Sequence, residues 1–149
     1  MLLMETNLID STKDRIKKHE GYRDTVYICS AGKRTIGFGH LCYKDEEWID
    51  DKKYRRDVLE KQFDLDFRSS CREAEQLYQL HGNMNPRALS IITEMVFQLG
   101  QKGVSKFKKM WKAIAQSDWD KAHLEMLDSK WAKQTPKRAE KLAQMMKSI

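Results

Sequence analysis

Apolar side chains recur at intervals of three and four along the middle of the chain, at Leu59, Phe63, Phe67, Cys71, Ala74, Leu77 and Tyr78. That period predicts one long amphipathic helix from about Asp57 to Leu80. His81-Gly82-Asn83 supplies a glycine to end it, and Asn85-Pro86 supplies a cap and a first-turn proline for the next. Beyond that point the pattern is helical throughout. Pro86–Leu99 stops at Gly100, Val104–Gln116 follows Gly103, Trp119–Lys130 precedes Pro136, and a last helix covers about Lys137–Met146.

The first forty residues read differently. Ser11 and Asp14 suggest a capping box, with Asp in place of Glu, for a short helix over about Thr12–His19. Glu20 and Gly21 then stand at its end. Tyr22, Val26, Tyr27 and Ile28, followed by Thr35, Ile36 and Phe38, are strand formers, and Ser30–Lys33 between them reads as a turn. Residues 44–57 are highly charged, with Trp48 and Ile49 as anchors, and form a connection or a short helix. The predicted fold class is α+β, mainly α. A small antiparallel-sheet lobe (about 12–57) is joined by the long helix (about 58–80) to an all-helical lobe (about 84–149), in a single domain spanning 1–149.

The length of 149 residues suits one domain that buries about two-thirds of its unfolded surface. A net charge of +6 points to an anionic partner, whether nucleic acid, anionic lipid or an acidic envelope polymer, or simply to a well-solvated surface. Three cysteines, Cys29, Cys42 and Cys71, leave one unpaired under any scheme and lack metal-type spacing. Free thiols and synthesis in a reducing compartment are therefore expected. No stretch reads as a secretory leader or a membrane span, so the protein is not expected to cross a membrane alone.

The chemistry concentrates in residues 19–40, HEGYRDTVYICSAGKRTIGFGH. A Glu at a helix C-terminus feels the negative end of the macrodipole, which disfavours its anion and suits a proton donor to a glycosidic oxygen. Read alone, Glu20 is more often a surface carboxylate. Thr35 could orient a water, and Gly37 and Gly39 could let backbone approach a sugar, although a β-branched residue in a hairpin is the commoner case. Cys29 is either buried filler or, if neighbours stabilise its thiolate, a reactive group. His40 could be a metal ligand or a base, but reads better as structural, paired with a carboxylate of the long helix such as Asp64. Trp111, Trp119 and Trp131 read as core. Lys106, Lys108, Lys109 and Lys112 read as a solvated face that, with Phe107 and Trp111 interleaved, could grip an acidic polymer.

Glu20, eight residues, Cys29, five residues, Thr35, then Ile-Gly-Phe-Gly-His resembles the phage lysozymes of glycoside hydrolase family 24, the T-even phage group. Two further blocks match in order: Met95–Gly100 with Gly103, Val104, Phe107 and Trp119, and Ser129-Lys130-Trp131 through Gln134-Thr135-Pro136 to Arg138-Ala139. The resemblance covers about residues 12–142. It implies a lysozyme-like two-lobe fold and a muramidase that cleaves the β-1,4 bond between N-acetylmuramic acid and N-acetylglucosamine of peptidoglycan. It also implies Glu20 as general acid, Thr35 as support for the attacking water, an inverting outcome and no cofactor or metal. At Cys29 the commoner family residue is an Asp, the second catalytic carboxylate. Leu41, Phe97, Gln98 and Trp131 fall on the family's sugar-binding cleft or hinge-side positions, and Arg138 is expected as structural support beside the His40–Asp64 pair read above. Glu94 and Glu125 stand where Asn is frequent. An endolysin is implied: a monomer made in the host cytoplasm that reaches periplasmic peptidoglycan with a holin or similar permeabilising partner and lyses the host. Nucleic acid is not an expected partner. A lytic transglycosylase on the same fold, or a catalytically dead binding module, are the alternatives.

Overall fold

The computed structural model describes residues 4–149; the first three residues of the run read for a leader lie outside the described residues. These form seven helices and three strands: α1 (Thr6–Glu20), β1 (Arg23–Ile28), β2 (Arg34–Gly37), β3 (His40–Leu41), α2 (Arg56–Gln79), α3 (Pro86–Ser105), α4 (Lys108–Ala115), α5 (Trp119–Leu127), α6 (Lys130–Gln134) and α7 (Pro136–Lys147). The expected α+β class, mainly helical, is what forms. Two compact units result, one of residues 13–69 and one of residues 4–12 with 70–149, the boundaries falling inside α1 and α2. Among the described residues no helix is long and apolar enough to cross a membrane.

In the unit of residues 13–69 the antiparallel sheet has order β1-β2-β3. Tyr27 lies opposite Thr35, and Thr35 opposite Leu41, so these three residues form one cross-strand row. The hairpin closes through Gly32 N–H to the Cys29 carbonyl (2.8 Å) and Cys29 N–H to the Lys33 carbonyl (2.9 Å), with Gly32 at φ +76°. That is a turn followed by a left-handed glycine, the form a short hairpin loop of this length favours. Beneath the sheet Phe38 packs on Tyr22 (4.8 Å between centroids) and Phe63 (5.5 Å), around buried Ile16, Ile36 and Leu59. Lys17 lays its ammonium over Phe38 and Phe63 while bonding Glu60 at 2.6 Å. Residues 44–55 contain no helix; Trp48 anchors them by packing edge-on against Tyr54 (4.9 Å), whereas Ile49 is 57% exposed and anchors nothing.

The first helix starts earlier than its hydroxyl pattern suggests. Ser11 and Thr12 donate back to the Leu8 carbonyl (3.1 and 2.6 Å), so they lie within the helix and cap nothing. Thr12 also bonds buried Ser90 at 2.6 Å, which uses its hydroxyl far from any helix start. The other end is as expected: Gly21, at φ +74°, closes the helix with its N–H on the Lys17 carbonyl (2.9 Å).

The second unit buries Tyr78, Leu89, Ile91, Ile92, Met95, Met110, Trp111 and Ile114. Trp111 donates its indole N–H to the Val104 carbonyl (3.0 Å) and meets Tyr78 edge-on at 5.5 Å, so it is core and not part of a basic surface stripe. α5 packs on α4 and α7. Three helix limits differ from the periodicity. Gly100 (φ 80°, ψ 160°) kinks α3 without ending it, and the helix runs on to Ser105. Phe107 (ψ 59°) breaks the predicted Val104–Gln116 segment, so α4 begins at Lys108. Ser129 accepts the Ala132 N–H (3.1 Å) and starts α6, splitting the predicted Trp119–Lys130 helix.

Asn85 caps α3 as the sequence indicates, its carbonyl accepting from the Arg87 N–H (2.9 Å) and the Ala88 N–H (3.1 Å). Replacing Asn85 with Ala removes both bonds, and urea unfolding should show a loss of about 1 kcal/mol that Asn85→Ser largely restores.

Candidate active site

Glu20 is the last residue of α1 and is half-buried. Its carboxyl group lies against the α-carbon of Gly39, between β2 and β3. A β-carbon at position 39 would sit 2.9 Å from the Glu20 carboxyl carbon, and the backbone there is at φ +77°. Both facts call for glycine. The reading of Gly37 and Gly39 as sugar-approach positions is therefore revised. Gly39 makes room for Glu20, and Gly37 makes room for α2, where an added β-carbon would meet Leu59 at 3.3 Å.

Cys29 opens the hairpin turn and Thr35 follows it on β2. The Lys33 backbone N–H holds the Cys29 thiol below its ordinary pKa; partial burial opposes this, and the Thr35 hydroxyl and the Ala31 and Cys29 amides reinforce it. A thiolate here has a turn of N–H groups to receive it. Thr35 itself is buried and donates to the Lys33 carbonyl at 2.9 Å. A hydroxyl has one proton, so Thr35 donates either to this carbonyl or, once it rotates, to the sulfur, and not to both at once. Leu41 stands next to Thr35 on β3, half-buried. The structure thus brings Glu20, Cys29, Thr35 and Leu41 together in one unit.

All three cysteines are free. Cys29 bonds the backbone of Lys33 and Cys42 that of Arg34, so they flank β2 on opposite sides. Two strand spacings, about 9–10 Å, exceed disulfide reach.

His40 is a clamp. Nδ1 lies 2.7 Å from Asp66 Oδ2, and Nε2 lies 3.0 Å from Glu46 Oε1. Both ring nitrogens are occupied, which leaves none for a metal or a substrate. The expected partner Asp64 is wrong by half a helical turn. Residues two apart on a helix point to nearly opposite sides, and Asp64 instead pairs with Lys13 at 3.2 Å on the surface. Among the described residues no cluster of His, Cys, Asp and Glu is arranged to hold a metal ion.

The other predicted residues lie in the second unit. Trp131 is 3% exposed and donates to Gln98 Oε1 at 2.8 Å. Gln98 in turn donates to the Thr135 hydroxyl at 3.2 Å, so both ends of its amide are engaged. Phe97 is half-buried on α3. Arg138 bonds Glu94 Oε2 through Nε at 2.8 Å, an ion pair whose carboxylate is fully buried. Glu94, noted in the sequence for replacing a frequent Asn, is thus a partner of Arg138. The basic run keeps its exposed lysines, and Lys106, Phe107, Lys108 and Lys109 line a groove of about 360 Å³ with Glu125 and Asp128. Glu46 and Tyr27 are missing from the sequence-derived set. Glu46 lies in a highly charged stretch whose sequence singles out no one acid, and Tyr27 reads from the sequence only as a strand former.

A carboxyl group at a helix end, set against a small sheet that carries a donor-rich turn, is the arrangement of a lysozyme-type glycoside hydrolase. The comparisons agree. The chain matches the family described as phage lysozyme over residues 17–147, and it belongs to that family. It is 29% identical to probable T4-type lysozyme 2 of Dictyostelium discoideum, over 91% of this chain and 92% of that protein. It is also 29% identical to probable T4-type lysozyme 1 of the same organism, over 95% and 96%. A third relative, the pre-baseplate central spike protein Gp5 of Enterobacteria phage T4, is 30% identical over 91% of this chain, which spans only 27% of that protein. The chain is a peptidoglycan-hydrolysing lysozyme.

The His40 clamp sets a pH signature. Burial pushes the imidazole pKa down, but the hydrogen bonds and charges of Asp66 and Glu46 outweigh it and carry it above the ordinary 6.5. Burial pushes Glu46 up, but the Tyr43 N–H and the His40 bond and charge outweigh it and carry it below 4.5. A raised histidine contributes stability that is complete below pH 6.5 and fades as pH rises through the folded value. A depressed carboxylate contributes stability that is present above 4.5 and fades on acidification. Thermal melts should therefore show the clamp at its strongest between about pH 4.5 and 6.5, and His40→Asn should flatten the decline on the alkaline side.

Proposed function

We propose that the chain cleaves the β-1,4 bond between N-acetylmuramic acid and N-acetylglucosamine, with Glu20 as general acid and the Cys29 thiolate in the place of a second carboxylate. Glu20 delivers its proton to the leaving oxygen as the glycosidic bond breaks. A water attacks the anomeric carbon from the opposite face, steadied by Thr35, and its proton passes to the Cys29 sulfur. The sugar then carries a new hydroxyl at C1, Glu20 is an anion and Cys29 a thiol. A proton exchanged through solvent restores both. The observation that carries this reading is the turn around Cys29, whose N–H groups and Thr35 hydroxyl favour an anion where the family's usual residue is an acid. The net charge of +6 supports an anionic polymer as substrate.

The same reading gives the enzyme the biology of an endolysin: a monomer made in the host cytoplasm that acts on periplasmic peptidoglycan once a holin or similar partner has opened the membrane. Leu41 is the sugar-binding residue next to Thr35. Phe97, Gln98 and Trp131 contribute through the second unit, where Gln98 and Trp131 lock one another in place.

Mass spectrometry of fragments released from purified Gram-negative peptidoglycan tests the chemistry. Reducing muramic acid ends are expected. Anhydro-muramyl ends would mean a transglycosylase instead. Glu20→Gln should reduce release by about 10²–10⁴-fold; Cys29→Ala should cost about 10²-fold, and Cys29→Asp should keep activity. Expression with and without a holin tests the biology, since lysis by the enzyme alone would refute the partner.

A further inference from the structure

His40 holds two carboxylates at once, and that fixes how many protons its ring carries. Nδ1 lies 2.7 Å from Asp66 Oδ2, while Nε2 lies 3.0 and 3.1 Å from the two oxygens of Glu46. An ionised carboxylate only accepts, so each contact needs a proton on the ring nitrogen. A neutral imidazole has one such proton and the imidazolium has two. The geometry is that of the cation. One proton decides whether Glu46 is bonded or faces a lone pair.

Glu46 is also the centre of a small turn. Its Oε1 accepts the Tyr43 N–H at 2.9 Å, and its own N–H donates to the Tyr43 carbonyl at 3.0 Å. On either side the chain is tied without help from the imidazole. The Cys42 N–H bonds the Arg34 carbonyl at 2.9 Å, and the Arg34 guanidinium holds the Trp48 carbonyl (2.8 Å) and Asp50 (2.7 Å). Residues 43–47 thus span two fixed points, with Glu46 reaching in to β3.

We propose that His40 and Glu46 form a proton-operated latch, which fixes residues 43–47 beside β3 while the imidazole carries two protons and frees them when it loses one.

The surroundings set which bond is lost. From α2 the ring faces Asp66, whose other oxygen already receives the Gln62 amide at 3.0 Å. From the loop it faces Glu46 and the rings of Tyr43 and Trp48, whose centroids lie 5.9 and 5.8 Å away. Arg34 of β2 is spent on Asp50 and Trp48. Burial first, then the charges of Glu46 and Asp50, hold the Cys42 thiol above its ordinary value against the pull of Arg34, so it stays protonated at neutral pH. The shorter bond belongs to Asp66, on a long helix, so the last proton stays on Nδ1 and Nε2 turns its lone pair on Glu46. Burial works against the second proton, but the bonds and charges of Asp66 and Glu46 outweigh it. The latch is therefore closed at pH 6.5 and opens as pH rises through the raised value. Opening leaves β3 in place, because Leu41 pairs with Thr35 through the backbone. The latch involves neither Glu20 nor Cys29.

Nuclear magnetic resonance of the nitrogen-15-labelled protein, followed from about pH 5 to 9, tests it. The His40 ring and the Tyr43 amide should titrate together, with one midpoint above 6.5. Across it the Tyr43 amide should lose about tenfold or more of its protection from hydrogen exchange. Glu46→Gln keeps the shape, and its amide turns either to accept from the imidazolium or to donate to the neutral ring. In that variant the Tyr43 amide should stay protected throughout, and the His40 midpoint should fall. The buried Trp111 indole reports folding in both proteins, and if the variant does not fold the wild-type titration decides. A Tyr43 amide that ignores the His40 titration in the wild type overturns the proposal. So does a Glu46→Gln protein whose Tyr43 amide keeps the wild-type pH response.

Discussion

The carboxyl group of Glu20 occupies the space that a side chain at position 39 would fill, and the site is organised around that contact. Gly39 sits at φ +77° between β2 and β3, a backbone state that costs other residues about 1 kcal/mol or more. The absent β-carbon lets the end of α1 meet the sheet where Thr35 and Leu41 are paired. Gly21 stops the helix at the right residue, and Phe38, between the two sheet glycines, plugs the core beneath. The His40 clamp then ties the start of β3 to α2 through Asp66 and to the following loop through Glu46. Acid, glycine, aromatic plug and clamp all come from one short stretch of chain and the helix beside it.

Cysteine in place of an acid changes how the second group is made anionic. A carboxylate is ionised at neutral pH without help, whereas a thiol needs stabilisation of its anion. The hairpin supplies it from backbone amides that the tight turn already points inward, with the Thr35 hydroxyl in support. The turn that two backbone bonds close thus also presents the amides that lower the thiol, and the Cys42 thiol is held across the strand where it cannot capture the sulfur.

Much of this was legible in the sequence, and the failures have physical causes. Spacing from Leu59 to Tyr78 located α2 because a long buried stripe leaves a strong period, and Asn85-Pro86 marked a helix start because cap chemistry is local. The triplet proposed as catalytic was legible through its resemblance to a family, since nothing in the composition of residues 19–40 singles out one carboxylate. Ser11 misled because a hydroxyl can bond back into its own helix as readily as cap it. Asp64 misled because choosing among acids two residues apart needs the helix's rotation, and only folding sets that. Trp111 reads as core from its helical spacing and is core, its indole spent on the Val104 carbonyl.

The most direct test of the central claim is the rate at which iodoacetamide inactivates peptidoglycan hydrolysis, followed from pH 5 to 10 alongside mass-spectrometric mapping of the modified thiol. The account predicts that loss of activity tracks alkylation of Cys29 one for one, with a midpoint below the ordinary thiol value of about 8.5. Full alkylation of Cys29 with hydrolysis intact would contradict it.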